Sequence, residues 1–327
     1  MAKMLDGADP HALETAATAL RAGELVAFPT ETVYGLGADA LNERAVAQVF
    51  AVKNRPHFDP LIVHLPNHAS ARVYAIDIDY RAVALMERFW PGPLTLVLRK
   101  KPIIPDIVTA GLDSVALRVP AHPVALALLR ALGKPIAAPS ANPFGYVSPT
   151  TATHVQETLG DKIKLILDGG PCRVGVESTV CALTEKEAVI LRPGGVTVEE
   201  IEAAIGPVQV ASGRADARSP GTLPRHYAPY VNLQLLAHGA SFPRPQAGER
   251  VGALVFTKRQ DLQGYAAVEV LSQEGNLIEA AANLFAALRK LDSLQLDRVL
   301  IESVPEHGLG RAIMDRLRRA AARSWSG

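Results

Sequence analysis

Cysteine is nearly absent: Cys172 and Cys181 are the only two in 327 residues. Their spacing matches neither a CxxC redox pair nor a paired zinc knuckle, which argues against a disulfide framework and for a reduced compartment. There is no apolar run of about 18 residues to cross a bilayer. The opening Met1-Ala-Lys-Met-Leu-Asp-Gly-Ala-Asp-Pro10 also lacks the apolar stretch of a secretion signal. A cytoplasmic protein with no membrane partner is expected. An excess of one charge is missing too: 34 basic and 33 acidic residues leave a formal net charge of +1. Any affinity for nucleic acid must therefore come from a local basic surface. No G-x-x-x-x-G-K-[ST], G-x-S-x-G or H-E-x-x-H occurs, which argues against a P-loop NTPase, an α/β-hydrolase and a zincin. No protein-held metal is expected.

What is present is a globular composition, 48% hydrophobic and 20% charged. The length exceeds what one hydrophobic core usually serves, so two domains are expected. Apolar spacing predicts helices over 9–23, 44–53, 80–90, 123–132, 151–159 and 198–205. Strand-like runs fall at 24–28, 61–65, 94–99, 115–119, 135–139, 165–168, 179–183 and 188–192. This alternation predicts an α/β fold on a partly parallel, partly antiparallel sheet. Periodicity fades over 207–230, where Ser219-Pro-Gly221 and Arg225-His-Tyr-Ala-Pro229 punctuate the chain as a linker. Strands at 231–236, 251–256, 268–271 and 298–302, with helices near 277–291 and 308–323, then predict a smaller, doubly wound α/β unit. The loop 237–250 is expected at the surface.

Gly35-Leu-Gly37-Ala-Asp-Ala40 follows a strand and matches a dinucleotide fingerprint superficially. The acid about 20 residues on, Asp59, precedes a strand where that fold needs it after one, so the match fails. More informative are loops at strand ends that mix small hydroxyl groups with isolated bases. They are Pro29-Thr-Glu-Thr32, Lys53-Asn-Arg55, Pro139-Ser-Ala-Asn142, Glu177-Ser-Thr179 and Arg192-Pro-Gly194. Lys and Arg offer charge for phosphate or carboxylate, and Ser, Thr and Asn offer short neutral hydrogen bonds, a set that suits an anionic nucleotide. Any one of these fragments alone reads as a cap or turn.

Together with Phe28-Pro-Thr-Glu-Thr-Val-Tyr-Gly-Leu-Gly37, Pro60-Leu-Ile-Val-His64, Trp90-Pro-Gly-Pro-Leu-Thr95, Leu117-Arg-Val-Pro120 and Asp168-Gly-Gly-Pro171, these loops resemble the threonylcarbamoyl-AMP synthases. The resemblance is to the long form, with a YrdC-like catalytic domain (1–206), a linker folding over the active site (207–230) and a Rossmann-like α/β C-terminal domain (231–327). It implies a YrdC-like twisted mixed sheet with helices and a nucleotidyltransferase. Such an enzyme makes threonylcarbamoyl-AMP and pyrophosphate from L-threonine, bicarbonate and ATP, with Mg2+ accompanying ATP. The product serves threonylcarbamoyl modification of the adenosine 3′ of the anticodon in ANN-decoding tRNAs. By resemblance, Lys53 and Arg55 stabilise charge in catalysis. Lys53, Arg55, Asp59, Ser114, Ser140, Asn142, Ser148, Arg192 and Tyr227 take ATP. Thr32, His64, Arg118, Ala138 and Ser178 take threonine. Position 59 is usually Asn in that family and is Asp59 here, a carboxylate that repels phosphate unless a cation lies between.

From the residues alone, Arg118 reads equally as a carboxylate fork or as half of an ion pair, and His64 as a core histidine. Arg311, Arg316, Arg318, Arg319 and Arg323 read first as a solvated helix face, with tRNA contact as the alternative. Contact with the complex that uses the product is a further expectation. Competing readings of the whole chain are an RNA-binding YrdC-like module and a carbamoyl-adenylate-forming paralogue.

Overall fold

The computed structural model describes residues 1–211, 218–219, 221 and 226–322. The strands in chain order are β1 (Lys3–Asp6), β2 (Val26–Phe28), β3 (Gly35–Asp39), β4 (Ile62–His64), β5 (Leu94–Arg99), β6 (Ser114–Arg118), β7 (Ile136–Ala137), β8 (Leu165–Asp168), β9 (Thr179–Ala182), β10 (Val189–Arg192) and β11 (Gln209–Val210). They form one mixed sheet in the order β1-β8-β2-β3-β7-β4-β6-β5-β9-β10-β11. The second unit holds β12 (Asn232–Leu236), β13 (Val251–Val255), β14 (Ala267–Val270) and β15 (Arg298–Glu302), all parallel, in the order β12-β15-β13-β14. This is the expected α/β architecture, a twisted mixed sheet followed by a smaller parallel one. No described helix is long and apolar enough to cross a membrane.

Local chemistry sets the helix ends. Asp9 caps the helix Pro10–Arg21 through His11 N–H, Asn42 caps Glu43–Lys53, and Thr197 with Glu200 forms a capping box on Val198–Ile205. Each satisfies amide donors that the helix leaves open. The helix Glu43–Lys53 stops at Asn54 in the left-handed region, φ 52°, a conformation Asn tolerates better than most residues. Lys53 thus sits in the last turn, facing inward.

Central strands alternate as a two-faced sheet requires. Val63, Val115 and Leu117 enter the largest apolar cluster, beneath the helices. Ile62, Ala116, Val180 and Leu191 line the opposite face, which also carries His64 and Arg118. That second face holds the candidate site.

Four details depart from expectation. Gly35–Asp39 is a strand, antiparallel to β2, in a stretch that no strand-like run had marked. The edge strands β1 and β11 carry too few apolar residues to stand out in the sequence. Phe242, in the loop expected at the surface, is buried against Val251, Ala253 and Val255, so that loop roofs part of the second core. Arg316 is fully buried and Arg319 nearly so. In the helix Gly310–Ala321, Arg316 shares its face with Ile313, Leu317 and Ala320 at helical spacing, so the solvated face covers only part of the arginine set. Arg323 and Arg225 lie outside the described residues.

Gly37 packs where a Cβ would sit 2.8 Å from both Phe28 and Ile136. Gly37→Ala is expected to lower unfolding free energy by about 1–3 kcal/mol, as overpacking does. Urea denaturation at pH 7 would measure it, and an unchanged midpoint would contradict this packing.

Candidate functional site

A narrow cavity of about 50 Å3 opens on the second face of the large sheet. Loops from six places converge on it. The turn after β2 supplies Thr30 and Thr32, the end of β4 supplies His64, and the end of β6 supplies Arg118. The turn after β7 supplies Ala138 and Ser140, the approach to β9 supplies Glu177 and Ser178, and the end of β10 supplies Arg192. Arg55 borders it from the loop after the helix Glu43–Lys53, and Gly221, His226 and Tyr227 close it from the linker. Of the residues assigned by resemblance, Thr32, Arg55, His64, Arg118, Ala138, Ser140, Ser178, Arg192 and Tyr227 line this single space.

Lys53, Asp59, Asn142 and Ser148 stand directly behind the wall. Lys53 Nζ donates to the carbonyls of Ser140 (2.6 Å) and Asn142. Burial, and then Arg55, push its ammonium well below the usual lysine range. Asn142 Nδ2 donates to the carbonyls of Pro143 (2.9 Å) and Tyr146 (2.8 Å), which fixes the same loop from the other end. Ser148 Oγ donates to Glu177 Oε1 at 2.6 Å. Ser114 lies farther off, at the start of β6. It precedes by two residues Ala116, the partner of Ile62, so it falls beside Pro60 on the cavity face of the sheet, outside the cavity lining.

Arg55 is held by its own loop. Its Nε donates to the Asp59 carbonyl (3.0 Å) and Nη2 to the Pro60 carbonyl (2.8 Å). The Asp59 carboxylate pairs with Nη2 at 3.0 Å, both side chains almost fully buried. Burial raises the Asp59 pKa, opposed first by Arg55. The extra carboxylate therefore has the cation it needs.

Arg118 forms the ion pair that one reading of it foresaw, and it also borders the cavity. Nη2 donates to Glu31 at 2.7 Å, Nε to the Gly92 carbonyl at 3.3 Å, and the side chain still borders the cavity. Glu31 also accepts from Ala121 N–H at 3.0 Å. A carboxylate so held fixes the plane of the guanidinium. Beside it the Thr30 and Thr32 hydroxyls lie 2.8 Å apart, and Ser178 Oγ lies 2.8 Å from Thr95 Oγ1.

Sequence reasoning passed over Glu31, Glu177, Thr95 and His226. The first two sit inside motifs that were noted for their hydroxyl and basic residues. An acid flanked by buried hydroxyl residues at a strand end was the available signal. Among the described residues His226 Nδ1 has no hydrogen-bond partner, and burial, then Arg55 and Lys53, push its pKa well below the usual histidine range. Both cysteines are free and buried, as expected.

His64 is 3% exposed, its Nδ1 is unpartnered, and burial, then Arg118, push its pKa down to about 3. In the unfolded chain the ring takes a proton near pH 6.5, so below that value the unfolded state binds more protons and stability falls as pH falls toward 3. His64→Gln is expected to flatten this acid limb by up to about 1.4 kcal/mol per pH unit. Urea unfolding at pH 7, 6 and 5 would read it, and parallel profiles for the two proteins would refute it.

Two family models together cover most of the chain. One, described as Telomere recombination (Sua5, YciO, YrdC), matches residues 18–194, and one described as the C-terminal domain of threonylcarbamoyl-AMP synthase matches 196–322. The threonylcarbamoyl-AMP synthase of Pyrococcus abyssi is 45% identical over 322 residues, covering 94% of each chain. That of Bacillus subtilis is 44% identical over 324 residues, covering 96% of this chain and 93% of the relative. Among solved structures, P. abyssi Sua5 complexed with L-threonine superposes with a TM-score of 0.87 at 44% identity, covering 94% of both chains. With both domains matched and the similarity running along nearly the whole length, the chain belongs to the threonylcarbamoyl-AMP synthase family.

Proposed function

We propose that the chain acts as a nucleotidyltransferase, making threonylcarbamoyl-AMP and pyrophosphate from L-threonine, bicarbonate and ATP. The observation that carries this reading is the convergence of Arg118, Arg55 and Arg192 on one cavity. A fork-shaped cation suits the carboxylate of an amino acid, and a set of cations suits a polyphosphate. The P. abyssi relative bears on the first half, since it has been solved with L-threonine.

The chemistry needs no protein nucleophile. Threonine's amine takes up bicarbonate carbon with loss of water, giving a carbamate. A carbamate oxygen then attacks the α-phosphorus of ATP, and the bond to pyrophosphate breaks, the electron pair leaving with pyrophosphate. Such transfer depends on alignment and charge neutralisation. Arg118 with Thr32, Ser178, His64 and the Ala138 backbone orients threonine. Arg55, Arg192 and Ser140 face the nucleotide, and Lys53 adds charge while holding the Ser140–Asn142 loop from behind. Asp59, Ser114, Asn142 and Ser148 complete the nucleotide side. The nearby carboxylates are engaged, Asp59 by Arg55, Glu31 by Arg118 and Glu177 by Arg316. Mg2+ therefore enters on the phosphates as part of the substrate. His226 and Tyr227 lie across the cavity and exclude water, which protects a labile acyl adenylate. The product then passes, in the cytoplasm, to the machinery that modifies ANN-decoding tRNAs.

The test is to incubate the purified chain with ATP, Mg2+, bicarbonate and a panel of amino acids, and to look for carbamoyl-adenylates by mass spectrometry. A threonine-dependent product is expected, and its absence would overturn the reading. Arg118→Lys keeps the charge and loses the fork, so it should raise the KM for threonine about tenfold while leaving that for ATP nearly unchanged. Lys53→Ala should fall mainly on ATP.

A further inference from the structure

We infer that Arg316, supported by Arg289, is a positioning residue for the nucleotide side of the cavity, supplied from the second unit. The inference rests on the proposed function for the identity of the nucleotide. Its geometric basis is a chain of buried contacts across the domain boundary. Ser148 Oγ donates to one oxygen of Glu177 (2.6 Å), and the other oxygen accepts from Arg316 Nε (2.8 Å). Arg316 Nη1 also donates to the Pro193 carbonyl at 2.8 Å, next to Arg192. Its guanidinium carbon lies 5.1 Å from the ring centre of Tyr227, which stacks on Phe285 at 5.7 Å. Arg316 is therefore in contact with three parts of the cavity wall: the Glu177 turn, the end of β10 and the linker.

A second arginine reaches the same loop from another helix. Arg289, in Leu277–Asp292, donates from Nη2 to the Val147 carbonyl (2.5 Å) and from Nε to the Ser148 carbonyl (3.4 Å). The helix comes this close because Gly175 has no side chain: a Cβ there, at φ +74°, would lie 2.4 Å from the Ala281 carbonyl oxygen.

The physical consequence is electrostatic as well as geometric. Glu177 borders a cavity proposed to receive a polyanion. Paired with Arg316 it is neutralised and aimed at Ser148. Without Arg316 it loses its direct ion-pair partner and becomes a buried negative charge facing phosphate, offset only through the neighbouring Arg192. Arg316 thus favours ATP without touching it. The threonine side rests first on Arg118 and Glu31 and meets the Glu177 turn only at Ser178.

ATP and L-threonine binding should be measured separately by calorimetry, alongside the KM values. Arg316→Gln is expected to weaken ATP about tenfold or more and threonine less than about twofold. The double variant Arg316→Gln/Glu177→Gln should regain much of the lost ATP affinity, because it removes the charge left without its ion-pair partner. Loss of packing alone predicts no such rescue. Should Arg316→Gln fail to fold, Arg316→Lys, which keeps the charge and loses the fork, should give an intermediate loss confined to ATP. The inference is overturned if ATP binding stays within about twofold, if both ligands weaken equally, or if the double variant is no better than the single. A wild-type chain that binds ATP yet yields no threonine-dependent product would defeat the proposed function and leave this inference to stand on the affinities. A wild-type chain that binds no ATP would defeat both.

Discussion

Keeping several cations out of water is the constraint on which the site depends. Lys53, Arg55, Arg118, Arg192 and Arg316 are each at most 6% exposed. A charge moved into a low-dielectric interior loses several kcal/mol of solvation even after the protein relaxes, unless oxygen atoms replace the water. The chain supplies those oxygens mainly from loop carbonyls: Ser140 and Asn142 for Lys53, Asp59 and Pro60 for Arg55, Gly92 for Arg118, Ser178 for Arg192 and Pro193 for Arg316. The cations hold the loops in place as much as the loops solvate the cations. A cavity so lined is preorganised before any ligand arrives, which is where electrostatic catalysis gains most.

Carboxylates are distributed with matching economy. Glu31, Asp59 and Glu177 each take one arginine. Among the described residues, Lys53 has no carboxylate within ion-pairing distance, so the depression of its pKa reflects burial first and the neighbouring Arg55 second. That imbalance favours an arriving anion. Asp59 fits the same logic. An Asn at that position would leave Arg55 its full charge, whereas Asp59 binds it in advance and pays with its own raised pKa. The carboxylate lowers the net charge that the phosphate side presents and in return fixes where the guanidinium points.

Legibility in the sequence followed period and neighbourhood. The helices Pro10–Arg21, Pro123–Leu132 and Val198–Ile205 were visible because apolar spacing and capping residues agree at both levels. Gly35–Asp39 did not read as a strand because Gly-x-Gly is a feature of tight turns and also of strands crowded by aromatic neighbours, and only the approach of Phe28 and Ile136 separates the two. The site loops were legible as places where bases and hydroxyl groups cluster. Which base meets which acid was not, since Arg118 and Glu31 are 87 residues apart, as Arg316 and Glu177 are 139. His64 shows the limit well. Its strand position beside Ile62 fixes the face it shares, but whether that face is core or cavity depends on what the rest of the fold leaves uncovered.

The second unit is no appendage. Its main apolar cluster includes Val33, Val147 and Val176 from the first unit and Tyr227 from the linker, so the two units share one core across their boundary. Tyr227 is in the left-handed region, φ 59°, a conformation that costs free energy for a bulky residue and persists only where surrounding contacts over-determine it. Here the contacts come from the second unit: the Phe285 ring on one side and the Arg316 guanidinium on another. Without the second unit the chain lacks the surface that holds the linker residue in that conformation. The closing of the cavity is thus a property of both units together, and the helix that carries Arg316 belongs to the site as fully as the loops that line it.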